Sequence, residues 1–174
     1  MDWRSYVAAG AMMVCLLSCS SGKADAEGGA QAGAEADMQG VEQPVMTPHE
    51  ARETVDYMGK TFALTIHRRP DESLPHVVGL EGDEFVDNRI ALRVKADGKL
   101  LVDRDFSRQS FAGLVPAGEL RNCRLEAFLF EEATPQGLLF TAGLGYPQSD
   151  MFIPIRVVVG YGGQVSMEKG SLMD

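Results

Sequence analysis

Beyond residue 60 the chain alternates. In 60–68, Phe62, Leu64 and Ile66 fall on one side and Thr61, Thr65 and His67 on the other; Ile90, Leu92 and Val94 repeat the pattern, opposed by Arg89, Arg93 and Lys95. Successive side chains of an extended chain point to opposite faces, so a period of two predicts half-buried antiparallel strands, one face in the core and one in water. Asp97-Gly98 separates the second run from Leu100, Val102 and Phe106. That dipeptide predicts a tight hairpin, because both residues accept the left-handed backbone such a turn needs.

Two more hairpins follow from the same reasoning. Residues 124–131 face 138–146 across Pro135-Gln136-Gly137, and 152–161 face 164–167 across Gly162-Gly163. Asp97, Gly98, Gly162 and Gly163 are thus expected to serve structure. Leu125, Ala127 and Leu129 alternate with Phe128 and Phe130, so both faces of that strand look covered and a central position is expected. Cys123 shares the Leu125 face and reads as a buried thiol. Pro154 has no amide hydrogen, which predicts a sheet edge or a bulge. Ser107 is placed to cap one helical turn pinned by Phe106 and Phe111. At least seven strands in a near-sequential meander predict an all-β, two-sheet β-sandwich over residues 49–174, with an up-and-down β-barrel as the alternative.

The first 48 residues follow different rules. Arg4 precedes an uncharged apolar run at 6–17, which as helix would reach about 18 Å against a hydrocarbon layer of about 30 Å. A cleavable signal peptide over residues 1–18 fits that length. Its end, Leu16-Leu17-Ser18-Cys19, resembles a bacterial lipobox, which implies a diacylglycerol thioether on Cys19 and a further acyl chain on the new amino terminus. Two or more chains anchor stably to a bilayer. Residues 20–48 contain no aromatic side chain, and Lys23 stands against Asp25, Glu27, Glu35, Asp37 and Glu42, a sum of -4. Such a stretch cannot bury enough apolar surface to order itself. Residues 19–48 are therefore expected to be a lipidated tether that holds the folded part roughly 30 Å from the membrane.

The whole chain carries a formal net charge of -9 with a pI near 4.8, which argues against nucleic acid as a partner. The membrane, through its lipid, and an envelope protein or glycan remain as partners. Cys15 lies in the leader and Cys19 at the cleavage site, so Cys123 alone is left for the folded part and no internal disulfide is expected. No Gly-x-Ser-x-Gly, His-Glu-x-x-His, phosphate-cradling loop or paired-cysteine spacing occurs, so no cofactor is expected beyond the lipid on Cys19. The candidate ligand or metal residues are His67, His76, Asp83 and Asp87, with Asp71 nearby, although turn-forming residues in a solvated loop account for the same pattern. His67-Arg68-Arg69 with Arg104 and Arg108 form a candidate basic spot. Gly143 and Gly145 leave one strand face without side chains, which would admit a ligand or a bend.

Leu74-Pro75 with Val77, Asp87-Asn88 with Ile90 and Leu92, Asp97-Gly98, Phe106-Ser107 with Phe111, and Tyr146-Pro147 with Ser149-Asp150 together resemble a family of small Bacteroidetes lipoproteins defined only as a domain of unknown function. The resemblance implies an envelope location and a tethered β-domain, and it brings no activity; Ser20, in place of the aspartate associated with inner-membrane retention, makes the outer membrane the expected site. The expected role is a non-catalytic binding or scaffold module. The alternatives are a metal-assisted hydrolase using His67, His76 and nearby carboxylates, or a carrier of a small apolar ligand.

Overall fold

The computed structural model describes residues 46–170; Cys19, the leader and nearly all of the tether lie outside the described residues. The elements are β1 (His49–Tyr57), β2 (Lys60–Pro70), β3 (Val77–Val78), β4 (Glu84–Phe85), β5 (Asn88–Ala96), β6 (Lys99–Phe106), a 3-10 turn (Arg108–Phe111), α1 (Ala117–Arg121), β7 (Arg124–Thr134), β8 (Gly137–Gly145), β9 (Phe152–Val159) and β10 (Val165–Lys169). They build two four-stranded antiparallel sheets, ordered β1-β2-β5-β6 and β10-β9-β8-β7, and a small β3-β4 ladder. The molecule is therefore an all-β sandwich, and its two main sheets do not join into a closed barrel.

The alternation of β2 and β5 is what makes the core. Phe62, Leu64, Ile66, Ile90, Leu92 and Val94 are all buried and pack against Phe128, Leu138, Phe140, Ala142 and Ile155 of the other sheet. Four phenylalanines chain through this interior: Phe106 stacks on Phe111 at 6.2 Å and meets Phe128 at 4.9 Å, which meets Phe140 at 5.6 Å. The Phe106–Phe111 pair pins the 3-10 turn. Ser107 is its N-cap as expected, in a capping box with Ser110, whose Oγ accepts from the Ser107 amide at 3.1 Å.

Asp97 and Gly98, at φ 49° and 78°, form a two-residue turn between Ala96 and Lys99, both in the left-handed region that a primed hairpin turn requires. The β7–β8 hairpin pairs Thr134 with Gly137 across Pro135-Gln136. The β9–β10 turn spans Gly160 to Gln164, closed by the Gly160 amide donating to the Gln164 carbonyl at 2.8 Å. Gly163 sits there at φ 86°, and a Cβ on it would stand 2.9 Å from the Leu101 carbonyl oxygen.

Four features differ from the sequence reading. The strand at 124–134 is an edge and not central. Bulges at Glu126 and Glu131 shift its register, so Leu125 and Phe128, three residues apart, both reach the core while Leu129 is left exposed. Conversely β9 lies inside its sheet, and Pro154 is tolerated because its carbonyl, which accepts from the Gly170 amide at 2.9 Å, points past the end of the β10 ladder. The nitrogen of the same residue faces the same side, so the β8 ladder loses no hydrogen bond. A strand, β1, precedes the first alternating run at residue 60; it shows only Ala51, Val55 and Tyr57 as half-buried contacts. The helix α1 also has no counterpart in the alternation.

Candidate functional site

The turns after β1, β5, β7 and β9 gather at one end of the sandwich, and the connections β2–β5, β6–β7 and β8–β9 at the other. The chemistry-bearing residues cluster at the second end. Asp87-Asn88 leads into β5, where Asp87 Oδ1 accepts from the amides of Asn88 (2.8 Å) and Leu125 (3.1 Å). Asn88 returns the contact by donating to the Leu125 carbonyl at 2.8 Å. A short dipeptide thereby ties β5 of one sheet to β7 of the other.

Arg108 completes this seam. Its Nη1 donates to the carbonyls of Arg121 (2.9 Å) and Cys123 (3.3 Å), and its Nη2 to those of Pro75 (2.9 Å) and His76 (2.8 Å). Its Nε faces Asp87 Oδ2 at 3.3 Å, outside good hydrogen-bond geometry but close enough for each charge to answer the other. A guanidinium has five N–H donors in a fixed fork; here Nη1 and Nη2 each reach two carbonyls, while Nε, without a hydrogen bond, answers Asp87 by charge alone. Both members are almost fully buried. Burial pushes the Asp87 carboxyl above its ordinary pKa, against the opposing pull of the Asn88 and Leu125 amides and of Arg108. The pair is a fastener between loops, shielded from any ligand.

The remaining predicted ligands are dispersed. His67 sits on β2 between Glu50 of β1 and Ala91 of β5. His76 is exposed between Glu84 (3.4 Å) and Glu72 (3.7 Å). Asp83 lies in the β3–β4 loop, its carbonyl accepting from the Gly79 amide at 2.7 Å. Among the described residues no group of three or more His, Cys, Asp or Glu side chains is placed to hold a metal ion. The candidate basic spot is also divided: Arg108 is buried, Arg104 lies over the Phe106 ring at 5.1 Å, and Arg68 donates to the Glu126 carbonyl at 2.6 Å and to that of Thr47 at 3.3 Å. Cys123 is fully buried, and burial pushes its thiol pKa up. Tyr146 beside it is raised to about 12, chiefly by burial and then by Cys123.

What the structure does bring together is a groove on the outward face of the second sheet. Gly143 of β8 forms its floor, the Glu126 side chain, paired to Arg124, lies over Gly145, Leu129 of β7 with Met151 and Phe152 beside the start of β9 form its apolar walls, and Asp150 stands on its rim, around a hollow of about 390 Å³. Leu129, Met151 and Phe152 are 57%, 56% and 49% exposed. Outward faces of sandwiches are ordinarily polar, so an apolar patch here marks the surface. A second hollow, of about 300 Å³, lies on the other side of β7 between the sheets and shares Glu126, Ala127 and Leu129 with the first. The bare face was legible in the sequence at Gly143, whereas at Gly145 the Glu126 side chain fills it. The walls were not, because the β7 bulges decide which way Leu129 points.

No curated protein matches the chain in sequence. A family model, described as Domain of unknown function (DUF4738), matches residues 31–167. These residues include nearly all of both sheets, the Asp87–Arg108 seam and the groove, and the chain belongs to that family.

Proposed function

We propose that this chain is a lipoprotein of the cell envelope, anchored through acyl chains on Cys19, whose sandwich is a non-catalytic binding or scaffold module. The observation that carries the binding reading is the open apolar groove over Gly143 beside an edge strand. The buried ionisable groups support the non-catalytic part, since Asp87, Arg108 and Cys123 are enclosed and the first two are committed to structural partners. The lipid anchor rests on Leu16-Leu17-Ser18-Cys19 after a leader too short to span a bilayer, and Ser20 in place of an aspartate favours the outer membrane. The likeness to Bacteroidetes lipoproteins points to the same address.

Two measurements test this. Mass spectrometry of the mature polypeptide should find it starting at an acylated Cys19; an unacylated position 19 with the leader attached would remove the anchor. A photo-crosslinking residue at Leu129 in living cells should give a discrete adduct that the same residue at exposed Leu80 does not. Identical products from both positions would remove the binding role.

A further inference from the structure

We infer that β1 is a self-complementary edge through which two copies of this chain join, β1 to antiparallel β1, into one continuous sheet. The inference is independent of the groove and uses the other sheet. The two main sheets have four edge strands. β7 is interrupted by its bulges at Glu126 and Glu131, β6 carries an extra residue at Leu101, and β10 runs only from Val165 to Lys169. Bulges and shortness blunt an edge against pairing. β1 has neither: His49 to Tyr57 stay in unbroken register with β2, and among the described residues no strand pairs with its other side.

The hairpin fixes which backbone groups are free. Tyr57 and Lys60 close the two-residue turn, so Tyr57, Val55 and Glu53 bond to β2, while Arg52, Thr54 and Asp56 direct their amides and carbonyls outward. Thr61, opposite Asp56, agrees with this: its amide donates to Asp97 Oδ1 at 3.0 Å and its carbonyl accepts from the Asp97 amide at 2.8 Å, both away from β1. A two-fold axis at Thr54 then sets Thr54 against Thr54 of the second copy, and Arg52 against Asp56 on either side of it.

The side chains select that register. A two-fold axis at Arg52 aligns 49–55, one at Glu53 aligns 49–57 and one at Thr54 aligns 51–57; other centres align less of β1. The first opposes Arg52 to itself, and the second opposes Glu53 to itself and Glu50 to Asp56. Only the third opposes unlike charges and no like ones. Its groups are available: Arg52 spends Nε alone, on Glu50 at 2.5 Å, and Asp56, held by the Thr61 hydroxyl at 2.6 Å, enters no ion pair among the described residues. Threonine pairs and opposite charges directly across two strands both stabilise a sheet. On the inner face Ala51 comes opposite Tyr57 of the second copy, covering apolar surface that the edge leaves half exposed. Repulsion between two chains of net charge -9 is screened beyond about 8 Å at physiological salt, whereas the Arg52–Asp56 pairs lie across adjacent strands. This two-fold match of backbone and charge is what a second copy of the strand supplies.

The test uses the full chain in cells that make it. Thr54→Cys, treated with a short bismaleimide, should give a crosslinked dimer of the chain, identified by mass spectrometry, and Ser166→Cys on the β10 edge should not. Cys123 is buried and does not compete. In the Thr54→Cys background, Arg52→Asp or Asp56→Arg alone makes both cross-strand pairs repulsive and should cut the crosslinked fraction about tenfold. The two changes together set opposite charges against each other again and should restore the dimer. Arg52, Thr54, Asp56 and Ser166 are all exposed, so loss in each single variant with recovery in the double variant reports pairing and not folding. No dimer at position 54, an adduct with a different protein in its place, equal dimer from Ser166→Cys, or single variants without effect or without recovery in the double variant would each overturn the inference.

Discussion

Asp87 and Arg108 are each expensive to bury alone and tolerable together, because a charge stripped of water needs an opposite charge and hydrogen bonds in its place. Asp87→Ala leaves the Arg108 guanidinium buried without its counter-charge and removes the acceptor for two amides; chemical denaturation should show a loss of about 3–5 kcal/mol. Asp71 behaves oppositely at the surface. Its carboxylate accepts from the Ser73 hydroxyl and amide and from Arg89, and these bonds hold its pKa down at about 2 against 3.8. A lowered pKa means the unfolded chain binds the proton more tightly, so the contribution is fully present above 3.8 and lost as pH falls toward 2. The stability advantage of the wild type over Asp71→Asn should therefore narrow across that window in denaturation curves taken at successive pH. Cys123, enclosed with its pKa raised, should resist alkylation in the native state and label once denaturant is added, as peptide mass mapping would show.

Turns and bulges set what each strand presents. The β1–β2 turn is Met58-Gly59, at φ 49° and 75°, with Met58 79% exposed. It has the backbone of the Asp97-Gly98 turn and its second residue, but not an Asn, Asp or Gly at the first, which is why β1, also poor in apolar positions, is hard to read from sequence. Met58→Asn should raise stability by about 0.5–1 kcal/mol, measured as a higher thermal midpoint, because asparagine accepts the left-handed region more readily than an unbranched apolar side chain. Gly137, at φ 150°, is the reverse case: a Cβ there would stand 2.8 Å from the Val159 carbonyl carbon and 2.9 Å from Gly160 Cα. Gly137→Ala should cost about 1–3 kcal/mol by the same assay, since the β8–β9 ladder must move to admit it.

Across the folded part as a whole, the strands of the two sheets other than β1 and three of their hairpins were legible because period two and turns such as Asp-Gly, Gly-Gly or Pro-Gln-Gly are local: each follows from a few consecutive side chains and the backbone they allow. The groove and the seam were not legible. Arg108 and Asp87 are 21 positions apart and meet only because the β2–β5 and β6–β7 connections are folded to the same end. Leu125, Ala127, Leu129 and the two phenylalanines read as a strand covered on both faces, yet two extra residues in β7 turned Leu129 outward and left the strand at an edge. The sequence by itself determined where the chain extends and where it turns, since those depend on neighbours along the chain. Only the tertiary structure decided which charges are buried and which apolar side chains stay in water, because burial depends on neighbours in space, and the register shifts that select them have no local signature.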